Sequence, residues 1–434
     1  MKKLNRILVC ICCIALLVIS WMMVLSEKSD LQVQQELIAE AKVLMEDKIY
    51  VRAEPLLTEA AGYNESAREE AEELLKEVYT ALIDVSGYSS KLTKLIDRQV
   101  ARPDSSVEVY TDAADYYLAK GKITKAIAAL RTGVEHTGDE SLYERYEQER
   151  YAIDYCGYEY EDATEIYNGK LQVRSMDLWG LCDLSGELVI PCEYEKISTF
   201  SNNSAVVRKA GEIYVVNDSA LRIYLLHSEA RDFGNFGNNL LGLQTEDGWV
   251  RATGEMQVGS MTFEALGMYT DGYAAAKQNG KWGVIDRDAE WKIDPIYDEV
   301  VMDSLGRCWA QNAVFVRDGQ SFYLVTGGSR MDTAYDDVRP FNEEGWAAVK
   351  SDGQWKFIDT SGQVQLECGY SNVKSFSGHL AAVEVDGLWG YISSDGRLVI
   401  DAEYQDAGSF SEGSAPVQMD GNWTLIMLHE YQED

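Results

Sequence analysis

The sequence predicts a chain of two unlike parts, α-helical first and all-β afterwards, behind an apolar N-terminal segment. Three observations carry this. Residues 7–25 hold no charge at all. Residues 30–150 place apolar side chains at the three-and-four spacing of helices. After Tyr167-Asn168-Gly169 the pattern changes to alternation, aromatics and Gly-rich turns, the habit of strands.

The first element is ILVCICCIALLVISWMMVL, Ile7 to Leu25, preceded by Lys2, Lys3 and Arg6. At ~1.5 Å rise per residue it spans roughly 28 Å, about the hydrocarbon thickness of a bilayer. Its exit, Ser20-Trp21-Met22-Met23, is too bulky for a signal-peptide cleavage site. Residues 1–26 are therefore expected to be a cytoplasmic tip and an uncleaved transmembrane anchor. Three cations precede the span and an acidic chain follows it. The positive-inside rule then places the N-terminus in the cytoplasm and the rest beyond the cell membrane, a single-pass arrangement.

The formal net charge is −33, and since residues 1–26 hold three cations and no acid, the remainder carries −36. Such a surface excludes nucleic acid as a partner and suits either simple solubility or a cationic partner. Cys10, Cys12 and Cys13 lie in the apolar segment; Cys156, Cys182, Cys192, Cys308 and Cys368 lie beyond it. Five is odd and no pair forms CxxC, so isolated buried thiols are expected rather than a disulfide frame.

Within 30–150, VEVYTDAADYYLAKGKITKAIAALRTGVEHTGD (107–139) reads as two helices broken at Gly121, with Ala114, Tyr117 and Leu118 on the first. Ala126, Ile127 and Leu130 lie on the second. Small alanines at a helix crossing with a Gly turn make an αα-hairpin. The hairpin resembles a tetratricopeptide repeat, with Ala114, Tyr117, Gly121 and Ala126 near the expected positions and Asp139 where a proline is usual. Residues 36–60 look like a poorer copy, with Ala41, Tyr50 and Ala53 in comparable places and Asp47 in that of the Gly. Residues 151–170 read as a linker, and 171–434 as the β domain.

The β domain repeats. In DGLWGYISSDGRLVI (386–400) the reference is Trp389, and Trp355 and Trp423 lie 34 residues to either side. Trp179, Trp249 and Trp282 fit the same register if Ile213 and Ser321 hold the slot in degenerate copies. The intervals are then 34, 36, 33, 39, 34, 34 and 34. Tyr194, Tyr297, Tyr370 and Tyr404 follow fifteen residues after a marker, and Phe200, Phe233, Tyr269, Phe341, Phe376 and Phe410 twenty or twenty-one after. Near twenty-six comes a small apolar run such as Ala381-Ala382-Val383. Agreement at three independent offsets makes this a true repeat.

Each unit reads as strand, turn, strand, loop, strand. Turns such as Asp183-Leu-Ser-Gly186 start on a side chain that can bond the backbone two residues on and end on a Gly that accepts positive φ. Three short strands are marginal alone, so neighbouring units must supply the core. These repeats, DGKWG-[VYF]-I-D followed by I-x-P-x-Y-D-x-V as in Gly280–Val300, resemble the WG-repeat family over about 260 residues. The resemblance implies a bacterial β-rich repeat domain commonly joined to other modules, and it supplies no catalytic residues. Seven full units are flanked by lone strands at Leu171–Arg174 and Trp423–Leu428. An orphan strand at each end, the pair completing one last blade, favours a β-propeller of seven or eight three- to four-stranded blades over an open β-solenoid.

The recurring Trp179-Gly180, Trp249, Trp282-Gly283, Trp355, Trp389-Gly390 and Trp423 are read as packing between units, with each Gly letting a strand approach closely. Trp291, Trp309 and Trp346 stand outside the register and are the candidate exposed ligand platforms. His136, His227, His379 and His429 show no ligand spacing, no GxSxG appears, and no cofactor or metal is expected. Carboxylates such as Asp336-Asp337 and Glu343-Glu344 are too abundant to single out a glycosidase pair. The expected function is a non-enzymatic, membrane-anchored scaffold binding other proteins of the cell envelope. Binding of a glycan or wall polymer is the alternative, and a carboxylate hydrolase the third.

Overall fold

In the computed structural model, residues 29–63, 66–225, 230–254, 257–342 and 344–429 are described. The predicted span at 7–25 lies outside them. Among the described residues no helix is long and apolar enough to cross a membrane. The chain forms two compact units that divide between Glu144 and Arg145.

In the first unit six helices pack each on the next: α1 (Asp30–Glu46), α2 (Tyr50–Ala60), α3 (Arg68–Ala81), α4 (Tyr88–Val100), α5 (Val107–Leu118) and α6 (Ile123–Thr137). A seventh, α7 (Glu140–Arg150), runs across the division. Ser29 starts α1 with a capping box: its Oγ accepts from Gln32 N (3.3 Å) and its N–H donates to Gln32 Oε1 (3.2 Å). Ala41, Ala53, Ala71, Ala114 and Ala126 are fully buried at the crossings, where a larger side chain would hold the helices apart. The sequence marked the hairpins α1–α2 and α5–α6; α3–α4 is a third. Buried polar groups brace successive hairpins. Gln34 Nε2 donates to Ala60 O (2.9 Å), and Glu72 accepts from Gln99 Nε2 (3.1 Å) and from Arg102.

The second unit is a closed ring of eight four-stranded antiparallel sheets, not an open solenoid. Blades 1 to 7 span residues 162–194, 196–225, 232–263, 265–297, 299–335, 337–367 and 372–404. Blade 8 takes three strands from 406–428, and its outer strand is Ile153–Tyr155, which pairs with Ile426–Leu428. His429 N–H donates to Ala152 O (2.8 Å) and Cys156 N–H to Leu425 O (3.0 Å), extending that ladder at both ends. Leu425 of blade 8 packs with Tyr160, Leu171, Val173 and Cys182, so the ring has a continuous core across its seam.

Five expectations need correction. Each repeat forms four strands rather than the three read in it, because a two-residue inner strand such as Asp232–Phe233 is too short to show alternation. The segment 151–170 is not a linker, since it supplies the closing strand Ile153–Tyr155 and the first inner strand Asp162–Ala163. Leu171–Arg174 and Trp423–Leu428 do not complete one blade together. They belong to blades 1 and 8, which are separate sheets. The degenerate slot in blade 5 belongs to Phe322, which pairs with Arg317 as Trp355 pairs with Lys350; Ser321 is one residue early. Likewise Phe236, not Phe233, corresponds to Phe200, although both are fully buried.

The turns follow their side-chain chemistry. Asp183 Oδ1 accepts from Ser185 N (2.9 Å), Ser185 Oγ (2.6 Å) and Glu187 N (3.1 Å), and Gly186 closes the turn at φ +81°. Asp359 repeats the pattern with Ser361 and Gln363.

Candidate functional site

The repeated tryptophans lie between blades. Trp179 packs into a cluster that includes Ile197 and Phe200 of the next blade, Trp249 into one with Leu266 and Tyr269, and Trp282 into one with Val300. Trp355 meets Val373 and Phe376, and Trp389 meets Ala407 and Phe410. Across its own sheet the marker also opposes a register tyrosine, as in Trp179–Tyr194, Trp282–Tyr297 and Trp389–Tyr404. Tyr370 follows the outer strand of blade 6 and packs in the Trp355 cluster, where Trp355 Nε1 donates to Ser371 O (3.2 Å). Trp423 bridges to Tyr160 beside the closing strand.

The glycine has a separate cause. In blades 1, 4 and 7 the outer strand bulges, so that two residues from the marker oppose four on its neighbour: Trp389 pairs with Tyr404 but Tyr391 with Ile400. The bulge presses its backbone onto the residue between. A Cβ on Gly180 would meet Ile190 O at 2.5 Å, and one on Gly390 would meet Ile400 O at 2.6 Å. Gly283 is similarly closed by Ile293 O. In blade 6 the ladder is regular at this point, with Lys356 opposite Glu367, and a long side chain is accommodated.

None of the three candidate platforms is exposed. Trp309 is 3% exposed and lies on Tyr273 with centroids 4.5 Å apart. Trp291 is edge-on to Phe263 (5.9 Å), and Trp346 edge-on to Phe376 (5.3 Å). Their surroundings are those of packing residues. The thiols carry no disulfide among the described residues. Burial pushes Cys182 and Cys308 up, Cys308 to about 12, so neither is a thiolate nucleophile at neutral pH.

Two concave features lie on the ring axis. One cavity is lined from blades 1, 5, 6, 7 and 8 and another from blades 1 to 5, which only the axial space allows. A plug separates them. The loop from inner to second strand has six or seven residues in seven blades but twelve, 301–312, in blade 5. Within it Asp303-Ser304-Leu305-Gly306 forms the same turn seen elsewhere: Asp303 Oδ1 accepts from Leu305 N (3.0 Å) and Arg307 N (2.8 Å), with Gly306 at φ +92°. This turn reaches other blades. Asn235 Nδ2 of blade 3 donates to Leu305 O (2.9 Å), and Met268 N of blade 4 to Gly306 O (2.9 Å). Sequence reasoning registered the plug only as the one interval of 39, and missed the axial residues altogether.

The wider cavity, about 640 Å³, is lined by Lys196 and Arg208, both ion-paired with Asp232. Burial works against the Asp232 carboxylate, but Lys196, the Phe233 N–H and Arg208 outweigh it and hold the group below the usual range. The narrower cavity, about 310 Å³, brings Glu165, Asp303, Arg307, Arg339 and Lys374 together beside Trp389. The Glu165 side chain is 15% exposed and its Oε2 accepts from Ser409 N (2.7 Å).

Burial pushes the Glu165 carboxyl above the usual range, against the pull of Lys374, the Ser409 N–H and Arg307. The folded protein thus holds this proton more tightly than the unfolded chain does. The resulting stabilisation is fully present below the unfolded value, about 4.3, and is lost as pH rises through the raised one. Glu165→Gln, neutral throughout, is expected to lose less stability than the wild type as pH rises above about 4. Melting temperatures of the two proteins taken across that rise test this, and parallel curves would refute it.

Comparison with known proteins places these repeats. The WG containing repeat family matches residues 179–212, 256–282, 282–312, 333–355, 357–389 and 389–423. No curated protein matches the chain. Among solved structures, the Neurospora crassa Pan2 WD40 domain is similar at 10% identity over 62% of this chain and 91% of that one, with a TM-score of 0.32. The AfRom2 CNH domain is similar at 7% identity over 63% and 96%, with a TM-score of 0.31. Six segments of the eight-bladed C-terminal domain are therefore WG containing repeats.

Proposed function

We propose that the chain is a non-enzymatic scaffold of the cell envelope, anchored through residues 7–25, that binds another protein through its two repeat domains. One observation carries this reading. The repeat positions on which the blades agree are taken up by packing, at the marker tryptophans, the bulge glycines and the register aromatics. What varies from blade to blade, the loops, the outer strands and the axial residues, is left to recognise something else. The stacked αα-hairpins, with buried alanines at their crossings, support a tetratricopeptide-like arrangement in the first unit, a second frame suited to protein binding. The excess of acid favours a cationic partner face.

Pull-down from solubilised membranes with the full chain, against a chain lacking 145–434, tests the proposal. Specific partners retained by the full chain and lost by the truncation are expected. Identical captures from both would count against the ring as the binding element. The glycan alternative rested on exposed tryptophans, and those are packed.

A further inference from the structure

The two axial cavities differ in how completely their charged groups are satisfied. In the wider one Lys196 Nζ already donates to Asp232 Oδ1 (2.8 Å) and Phe233 O (2.6 Å), and Arg208 donates to Asp232 (2.8 Å). The narrower one is left incomplete. Lys374 Nζ stands 3.8 Å from Glu165 Oε1 and 3.7 Å from Asp406 Oδ1, beyond hydrogen-bond reach of both. Glu165 uses Oε2 on the Ser409 N–H, while its Oε1 stands 3.8 Å from that ammonium. An acceptor and a donor are therefore held 3.8 Å apart, each with unused hydrogen-bonding capacity and each largely removed from water.

The surroundings specify what would complete them. Three cations, Arg307, Arg339 and Lys374, line this cavity against two acids, Glu165 and Asp303. On the lining itself cations outnumber acids, with Asp337 and Asp406 standing beside Arg339 and Lys374. Arg339 is fixed in place by Asp337 Oδ1 (3.0 Å) and Asn372 Oδ1 (3.1 Å), and Arg307 by Asp303 Oδ2 (2.5 Å). Trp389 and Met302 supply apolar wall. At about 310 Å³ the space is at the lower end for small-molecule sites, which combine apolar walls with a few convergent polar groups.

We propose that this chamber binds a small carboxylate carrying a hydroxyl or ammonium on the adjacent carbon, an α-hydroxy or α-amino acid, between Lys374 and Glu165. The ligand carboxylate accepts from Lys374 Nζ in the field of Arg339 and Arg307. The α-substituent donates to Glu165 Oε1. The ligand thus bridges a pair held 3.8 Å apart, and the plug 301–312 supplies the wall that confines it. This site is independent of the scaffold reading, since a partner protein need not enter the ring axis.

Isothermal titration calorimetry of the full chain with glycolate, L-serine and acetate tests the assignment, with thermal shift as a second readout. Glycolate or L-serine is expected to bind, and acetate, which lacks the α-donor, at least tenfold more weakly. Lys374→Met and Glu165→Gln are each expected to weaken binding at least tenfold, while Lys356→Met, on a blade strand away from the axis, leaves it unchanged. Melting curves establish that each variant is folded, and the wild-type comparison of glycolate with acetate stands whether or not a variant folds. Absence of heat and of thermal shift with both glycolate and L-serine at about 10 mM overturns the proposal. So does acetate binding as tightly as glycolate, or binding undiminished in folded Lys374→Met.

Discussion

Gly390→Val is expected to destabilise the ring by about 3 kcal/mol or more, or to prevent its folding. The new Cβ would stand 2.6 Å from Ile400 O and 2.7 Å from Ala402 N, both backbone atoms of the bulge. A side chain in the way could rotate aside; a strand held in its sheet cannot. The matched change Lys356→Val sits at the same step of blade 6, where the ladder is regular, and should cost under about 1 kcal/mol. Thermal melts of the two variants read the difference. A drop of several degrees is expected for Gly390→Val alone, and equal melting temperatures would show that the bulge can give way.

The second large effect is at the seam. Asp154 opposes Met427 at the centre of the closing ladder, between the bonds Ala152–His429 and Cys156–Leu425. The alternation of antiparallel pairs makes it a hydrogen-bonded position. Asp154→Pro removes that donor in the middle of a three-residue strand and should release Ile153–Tyr155 from blade 8. The Asn422–Leu428 strand then becomes an open edge. We expect a lower melting temperature together with concentration-dependent self-association in size-exclusion chromatography. A variant that stays monomeric and melts like the wild type would mean that the ring closes through side-chain packing across the seam alone.

Much of this architecture was readable in advance. The 34-residue period, the Asp-x-Ser-Gly turns and the marker tryptophans are local signals, and each corresponds to a local physical need: a turn to close or a neighbouring blade to pack against. The close approach at the marker glycine, in the three units that carry Trp-Gly, was also readable, though not that an outer-strand bulge causes it. The inner strands escaped notice because two residues cannot show alternation. Ile153–Tyr155 escaped because three residues of mixed polarity have no strand signature until a partner is known. The exposed role given to Trp291, Trp309 and Trp346 failed because residues outside a register can still fall into the spaces between blades.

The axial chamber marks the boundary between the two kinds of information. A repeat encodes contacts between a unit and its neighbour, so the β-repeat class and the packing between units follow from the order of residues, while ring against solenoid and seven against eight blades do not. Glu165 and Ser409 are separated by 244 positions and become hydrogen-bond partners only when the last blade meets the first. Nothing in the period marks Lys374, Arg339 or Glu165 as companions, because closing the ring gathers onto one axis residues that no nearest-neighbour rule relates. The positions of the seam, of the plug and of the charges facing it were therefore left to ring closure.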